Sequence, residues 1–466
     1  MADRDHIFYD FTLSLCARCL RRVDAKIVFQ GGEVVMLKRC PEHGPERVVI
    51  ATDIPYYKKT REYLKPGTLP RRFHTRTEHG CPYDCGLCPD HEQHSCLTLV
   101  EITDRCNLTC PTCYTASSPT AGRHRTLAEV EAMLDAVVES EGRPDVVQIS
   151  GGEPTLHPDF FAILDAAKRR PIHHLMLNTN GVRIAQDPGF AERLAEYAPG
   201  FEIYLQFDSL RAGPLVHLRG RDLRDVRQRA LDRLDALGLS TTLVVTVEKG
   251  VNDDEIGAIL DFAVSRRSVR GVTFQPTQAA GRVDGFDPAR GRITLTEVRR
   301  AILDQTTLFA EDDLVPVPCN PDALMMGYAL KLGGRAVPLT RYVSADQLLA
   351  GAGNTIVYEN DPALHQRVLR VFSTGTPVEG AAGDLEALLC CLPGVAAPGL
   401  DYTNLFRVIV MRFIDAHDFD VRAIKRSCVH IVSDDLRLIP FETMNLLYRG
   451  QAARDGRLVQ LRRGSP

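Results

Sequence analysis

The run CNLTCPTCY places Cys106, Cys110 and Cys113 in a CxxxCxxC spacing, and no other stretch limits this chain so tightly. It follows an apolar, strand-like segment, LTLVEIT, and precedes a helix-like one. Three thiolates at this spacing hold three irons of a 4Fe-4S cluster and leave the fourth iron without a protein ligand. An open iron is a place for chemistry, and the rest of the chain is read against it.

From residue 97 onward the sequence alternates two patterns. LTLVEIT, DVVQIS, HHLMLNT, FEIYLQF, LSTTLVVTV and GVTFQP are short and rich in β-branched residues, and amphipathic stretches of helical period separate them. Repeated βα units of this kind predict a parallel sheet, here a partial (β/α)6 barrel over residues 97–290, with ligands at the C-terminal strand ends. Cys106, Cys110 and Cys113 sit at the end of the first strand of the series. A second triplet, HGCPYDCGLCPDHEQHSC, lies before that strand and supplies Cys81, Cys85 and Cys88, with Cys96 close behind. Four thiolates would close that cluster, which leaves it electron transfer or folding as its role.

The second strand of the series ends in SGGEPTLHPD, where Ser150, Gly151, Gly152 and Glu153 predict a sharp turn. Glycines there let the backbone come close to a small ligand, and a carboxylate beside carbonyls can take an ammonium group. Later strand ends carry Asn178 and Asn180, Gln206 and Asp208, and Gln275, polar side chains expected to line the barrel mouth because buried amides need partners. Arg219 and Arg221 are candidates for binding a carboxylate.

The first fifty residues read as a metal knuckle. Cys16 and Cys19 precede an alternating hairpin, and Cys40 and His43 follow it, a closed tetrahedral set suited to zinc or to a single rubredoxin-like iron. Residues 51–96 form a linker and the auxiliary cysteine segment, and 291–466 a mixed α/β C-terminal domain. Ten of the fourteen cysteines precede residue 114, and in a reducing cytoplasm such clusters indicate metal and not disulfides. Cytoplasmic placement is expected from an N-terminus without a basic region and apolar core, and no apolar run is long enough to span a membrane. A formal net charge of -4 with no long basic run argues against nucleic acid as a partner.

The cysteine triplet followed by the Gly-Gly-Glu turn resembles the radical S-adenosylmethionine (SAM) superfamily. The wider order of motifs, through YLQFD, VEKGVNDDE, FQPTQAAGR, PVPC and CVH, resembles its branch with paired cluster motifs, which includes tetraether synthase and the dihydropterin methylase of methanopterin synthesis. The resemblance implies a SAM-binding 4Fe-4S cluster, one or two auxiliary 4Fe-4S clusters, and a reducing electron donor such as ferredoxin or flavodoxin. Gly151, Gly152 and Glu153 would take the methionyl amine. Thr112 stands where many members carry an aromatic, and the ring here is at Tyr114. Cys319 and Cys428, with Cys390 or Cys391, would hold a further cluster. The activity implied is reductive cleavage of SAM to a 5'-deoxyadenosyl radical and functionalisation of an unactivated carbon, either C-methylation of a pterin-like small molecule or coupling of lipid alkyl chains. A non-catalytic iron-sulfur carrier is the remaining alternative. No cobalamin-type domain is present in the sequence, so a transferred carbon would come from a folate-like cofactor or a second SAM.

Overall fold

The computed structural model describes residues 4–332, 334–341, 404–449 and 457–463. The chain opens with a four-stranded antiparallel sheet, β1 (Ile7–Leu15), β2 (Arg22–Gln30), β3 (Glu33–Cys40) and β4 (Gly44–Ala51), in sequential order. Alternation buries Ala25, Ile27, Val34 and Met36 on one face, against Tyr57 of the short helix α1 (Ile54–Lys59). The predicted hairpin is thus the centre of a larger meander. Lys38 anchors it to the C-terminal part of the chain, its buried ammonium donating to the carbonyls of Leu15, Ala416 and His417 at 2.6, 2.7 and 2.7 Å.

The βα series follows in the expected order. It runs β5 (Leu97–Thr103), the two-residue β6 (Thr112–Cys113), α2 (Leu127–Glu141), β7 (Val146–Gly151), α3 (Phe160–Lys168), β8 (His174–Thr179), α4 (Val182–Gln186), α5 (Pro188–Ala195) and β9 (Phe201–Gln206). It continues through α6 (Ala212–Arg219), α7 (Arg224–Leu237), β10 (Thr241–Val247), α8 (Ile256–Ser265), β11 (Val269–Pro276), the two-residue β12 (Arg282–Val283) and α9 (Leu295–Gln305). Thr126 and Glu129 cap α2 reciprocally, as Thr294 and Glu297 cap α9, so two of these helices start where side chains satisfy their first amides. Along β7, Val147 and Ile149 face the helices, while Val146 and Gln148 face the other way, into the curl of the sheet.

The boundary expected at residue 290 does not separate two sheets. Beyond it come β13 (Val315–Pro316), β14 (Leu324–Leu332), β15 (Arg335–Pro338), β16 (Leu405–Met411), β17 (Val429–Val432) and β18 (Leu438–Pro440), and all of them join the βα sheet. β16 adds in parallel beside β11, and β17 in parallel beside β5, extending the parallel run at both ends. A buried ion pair helps to hold β16 there: Arg407 reaches Glu202 of β9 at 2.9 and 3.0 Å, and His174 of β8 meets the same carboxylate at 3.3 Å. Leu97 of β5 and Met411 of β16 come from opposite ends of the run yet line one cavity with Tyr204, so the sheet curls into a partial barrel.

Candidate functional site

The loop after β5 carries Cys106, Cys110 and Cys113, the first two buried and the third half-buried. It is held from outside by β12, whose Arg282 and Val283 pair antiparallel with Cys113 and Thr112 of β6. Arg282 also donates to the carbonyls of Cys110 at 2.6 Å and Ser117 at 2.7 Å. Gly281, at φ +72°, makes this approach feasible, because a Cβ there would stand 2.4 Å from the Tyr114 carbonyl and 2.5 Å from that of Cys113. Burial pushes the Cys106 thiol up to about 12, so ligation has to displace its proton. Burial also raises Cys110, and the Arg219 guanidinium beside it opposes that rise. Three thiols around a cavity mouth, with a cation against one of them, fit an anionic iron-sulfur cluster with one open iron.

The Gly-Gly-Glu turn packs on this loop. Gly152 N–H donates to the Thr103 carbonyl and Glu153 N–H to that of Arg105, both at 2.8 Å. A Cβ on Gly151 would lie 2.3 Å from the Thr103 carbonyl oxygen, and one on Gly152 would lie 2.2 Å from that of Arg105. The expected reason for these glycines was close approach to a ligand; the approach seen is to the chain leading into Cys106. Glu153 is buried, and its carboxylate accepts from Thr155 Oγ1 at 2.6 Å, Thr179 Oγ1 at 2.7 Å and Asn180 N at 2.8 Å. It therefore clamps the turn to the end of β8. Asn180 extends the clamp, donating to Asn107 Oδ1 at 2.7 Å, one residue from Cys106.

Behind the loop, inside the barrel, lies a cavity of about 160 Å³. Its polar lining includes Gln148, Asn178, Gln206, Thr246 and Gln275, one uncharged side chain from each of β7, β8, β9, β10 and β11. Asn178 donates to Ser150 Oγ at 3.2 Å, Gln206 to Asp208 at 2.9 Å and Gln275 to Tyr204 Oη at 3.1 Å. Phe413 and Phe441, stacked with centroids 3.9 Å apart, form an aromatic wall that Tyr114 meets at 4.8 Å. Tyr114 thus faces the cavity and Ser150, its hydroxyl 3.4 Å from Ser150 Oγ.

Asp208 does not offer its carboxylate to a ligand. It is buried at φ +67°, receives Arg219 at 2.6 and 2.7 Å and Arg227 at 3.0 Å, and is held below the usual carboxylate range mainly by Arg219 against the opposing cost of burial. Arg219 is accordingly committed to Asp208 and to Thr246 Oγ1 at 2.7 Å, which removes it as a binder of substrate carboxylate. Arg221 is exposed.

In the N-terminal sheet, Cys16 and Cys19 from the β1–β2 turn meet Cys40 and His43, with ligand atoms all within 4.8 Å of one another. His43 Nδ1 lies 3.5 Å from both Cys16 and Cys40, and Cys19 Sγ lies 3.8 Å from Cys40 Sγ. Tetrahedral Zn–S bonds of ~2.3 Å give edges of about 3.8 Å, so this set matches one metal ion.

The second cysteine group divides. Cys85 lies against Cys81 and near Cys88, packed under the C-terminal segment through Thr443, whose hydroxyl is 3.0 Å from Cys85 Sγ. Cys96, expected as the fourth ligand there, is instead grouped with Cys319 and Cys428, their sulfurs within 4.8 Å. The pairing of β17 with β5 explains this: Val429 is opposite Leu97, which brings the preceding residues Cys428 and Cys96 together, and Leu97 N–H donates to the Cys428 carbonyl at 3.1 Å. His94 Nε2 lies 3.5 Å from Cys96 Sγ, and its Nδ1 lies 3.0 Å from Glu141. Cys390 and Cys391 lie outside the described residues. Sequence reasoning missed His94, Arg282, Gln148 and the Phe413–Phe441 wall. The inward register of Gln148 in DVVQIS was a readable sign, and so was the glycine before Arg282.

A cysteine triplet at a parallel-strand end, clamped by a Gly-Gly-Glu turn over a barrel cavity, defines the radical SAM class of enzymes. Residues 100–263 match the model of the radical SAM superfamily, and residues 8–52 match that of the HMPTM N-terminal zinc ribbon domain. The chain is 30% identical over 478 aligned residues to the 7,8-dihydro-6-hydroxymethylpterin dimethyltransferase of Methanocaldococcus jannaschii, covering 94% of each protein. It belongs to the radical SAM superfamily, in the family of that dimethyltransferase. A GTP 3',8-cyclase of Chlorobaculum tepidum is 28% identical over 42% of this chain and 59% of its own. Among solved structures, a radical SAM methyltransferase from Sphaerobacter thermophilus aligns with a TM-score of 0.34 at 12% identity, over 65% of this chain and 74% of its own. The protein is therefore a radical SAM enzyme, a family that uses a 4Fe-4S cluster and SAM. No helix among the described residues is long and apolar enough to cross a membrane.

Proposed function

We propose that this enzyme C-methylates a pterin-like heterocycle, with Cys106, Cys110 and Cys113 holding the SAM-binding cluster. The cavity lined by one uncharged hydrogen-bonding side chain from each of five successive strands carries this reading. Such a ring suits a flat heterocycle with donors and acceptors on its edges, whereas a lipid alkyl chain would leave the buried Gln148 Oε1 unpaired, at about 1–3 kcal/mol. When bound, the cluster and SAM supply a 5'-deoxyadenosyl radical able to take hydrogen from an unactivated carbon.

The chain's own part is placement and exclusion of water. Arg282 and the β6–β12 pairing hold the cysteine loop, and Gly151, Gly152 and Glu153 set the turn whose carbonyls would face the methionyl amine. Arg219 puts a positive charge against Cys110, which favours its thiolate. Asn180, Gln206 and Gln275 would set the mouth between cofactor and substrate, with Asp208 holding Gln206 and Arg219 from behind. The Phe413–Phe441 wall keeps the cavity apolar on one side.

The remaining cysteines belong, in this reading, to accessory centres: zinc or iron on Cys16, Cys19, Cys40 and His43; one auxiliary centre on Cys81, Cys85 and Cys88; and another on Cys96, Cys319 and Cys428 with His94. A low-potential donor such as ferredoxin or flavodoxin would supply electrons. The test is anaerobic reconstitution with dithionite, SAM and 7,8-dihydro-6-hydroxymethylpterin. A pterin product heavier by one or two methyl groups is expected; 5'-deoxyadenosine without a methylated pterin would reject the substrate assignment.

A further inference from the structure

We infer that Gln148 is the side chain that recognises the substrate ring, its amide pairing with a donor–acceptor edge of a flat, uncharged heterocycle deep in the barrel; the inference rests on the pterin reading above. Gln148 lies mid-strand on β7, lines the cavity and is 3% exposed. Its neighbours in register are Leu99 on β5 and Met176 on β8, both buried and neither with a polar group fit to bond an amide. Its Oε1 is buried and has no partner in the protein. Asn178, Gln206 and Gln275, the other amides of the lining, each donate to a neighbouring side chain. Buried amide groups are almost always paired, so an orphan aimed into a cavity marks where a ligand group belongs.

The charge of the lining narrows the ligand. Its charged side chains are Glu153, Arg219 and Arg227. Glu153 is bonded to the turn and to β8, and both arginines are bonded to Asp208. None belongs to the strand layer of Leu99, Gln148 and Met176, so a ligand at that depth meets amide, aliphatic and aromatic surface. A neutral ring matches that surface, with one edge on Gln148 and a face toward Phe413 and Phe441.

The experiment compares wild type with Gln148→Leu and Gln148→Met, as reconstituted holoenzymes, by anaerobic equilibrium dialysis against 7,8-dihydro-6-hydroxymethylpterin and, separately, SAM. Thermal unfolding is recorded on the same samples. Loss of one hydrogen bond to the ring should weaken pterin binding about 10-fold while SAM binding is unchanged. Both variants should unfold at a higher temperature than wild type, because each removes an unpaired buried amide; an amide with a structural role would give the opposite shift. Wild-type binding of the pterin with no weakening in either variant overturns the Gln148 assignment alone. A wild-type protein that binds SAM but no pterin overturns the substrate reading, and this inference with it.

Discussion

Arg219 and Asp208 form a buried, two-point ion pair, with Nε to Oδ2 at 2.7 Å and Nη2 to Oδ1 at 2.6 Å. The same guanidinium faces Cys110 and donates to the Thr112 carbonyl at 3.3 Å, so one pair joins the end of β9 to the cysteine loop. Asp208→Asn keeps the shape but leaves Arg219 and Arg227 without their carboxylate. Breaking a buried pair by removing one partner costs about 3–5 kcal/mol. Urea unfolding should show that loss, together with less iron retained per chain after reconstitution; an unchanged midpoint would mean the pair contributes nothing.

Gly152→Ala tests the turn against the loop. Its Cβ would overlap the Arg105 carbonyl, and the backbone would have to shift away from the segment entering Cys106. Steric overpacking of this kind costs about 1–3 kcal/mol. SAM affinity, measured by dialysis on the reconstituted protein, should fall about 10-fold or more. Pterin binding, assigned above by proposal to Gln148 and the Phe413–Phe441 wall, should fall less.

Glu141 holds His94 by its Nδ1, which leaves Nε2 directed at Cys96. Carboxylates in this position orient a ligating histidine, and their loss costs about 10–100-fold in metal affinity. Glu141→Ala and His94→Ala should therefore lose metal from the Cys96, Cys319 and Cys428 site under a chelator. The electron paramagnetic resonance signal of the SAM-binding cluster should persist in both. Equal loss from every site would show that the variants simply unfold.

Removing metal from Cys16, Cys19, Cys40 and His43 should release β1 to β4 as a unit, since these ligands tie both ends of the β2–β3 hairpin. Hydrogen exchange would report the opening as lost protection over residues 7–51, with β7 to β11 still protected. Burial by Tyr57 and the Lys38 anchor alone would leave that protection intact.

The parts of this molecule that are local in sequence were legible in it. The period-two and helical patterns give β5 and β7 to β11, and the cysteine spacing gives the loop, because strand alternation and ligand spacing are set by neighbours. What could not be read depends on contacts between distant segments. Nothing near Cys96 says that β17 will pair with β5, so although the resemblance puts Cys319 and Cys428 in one further cluster, the addition of Cys96 to them is not legible. Asp208 is visible as a polar strand-end residue and Arg219 as a candidate for binding a carboxylate, but their mutual bond depends on where α6 ends over the sheet. The glycines beside Glu153 are readable as a close-approach turn, but that they also approach the carbonyls of Thr103 and Arg105 depends on the packing of β7 on the loop after β5.

The pairing of β17 with β5 also bears on how the protein is made. The cysteines of residues 81–113 lie close together in sequence and leave the ribosome early. Cys96 meets Cys428 only after β17 has emerged and settled beside a strand synthesised long before. A chain that ends before Cys428 therefore lacks one of the three thiols that this pairing gathers, whatever its earlier segments have folded.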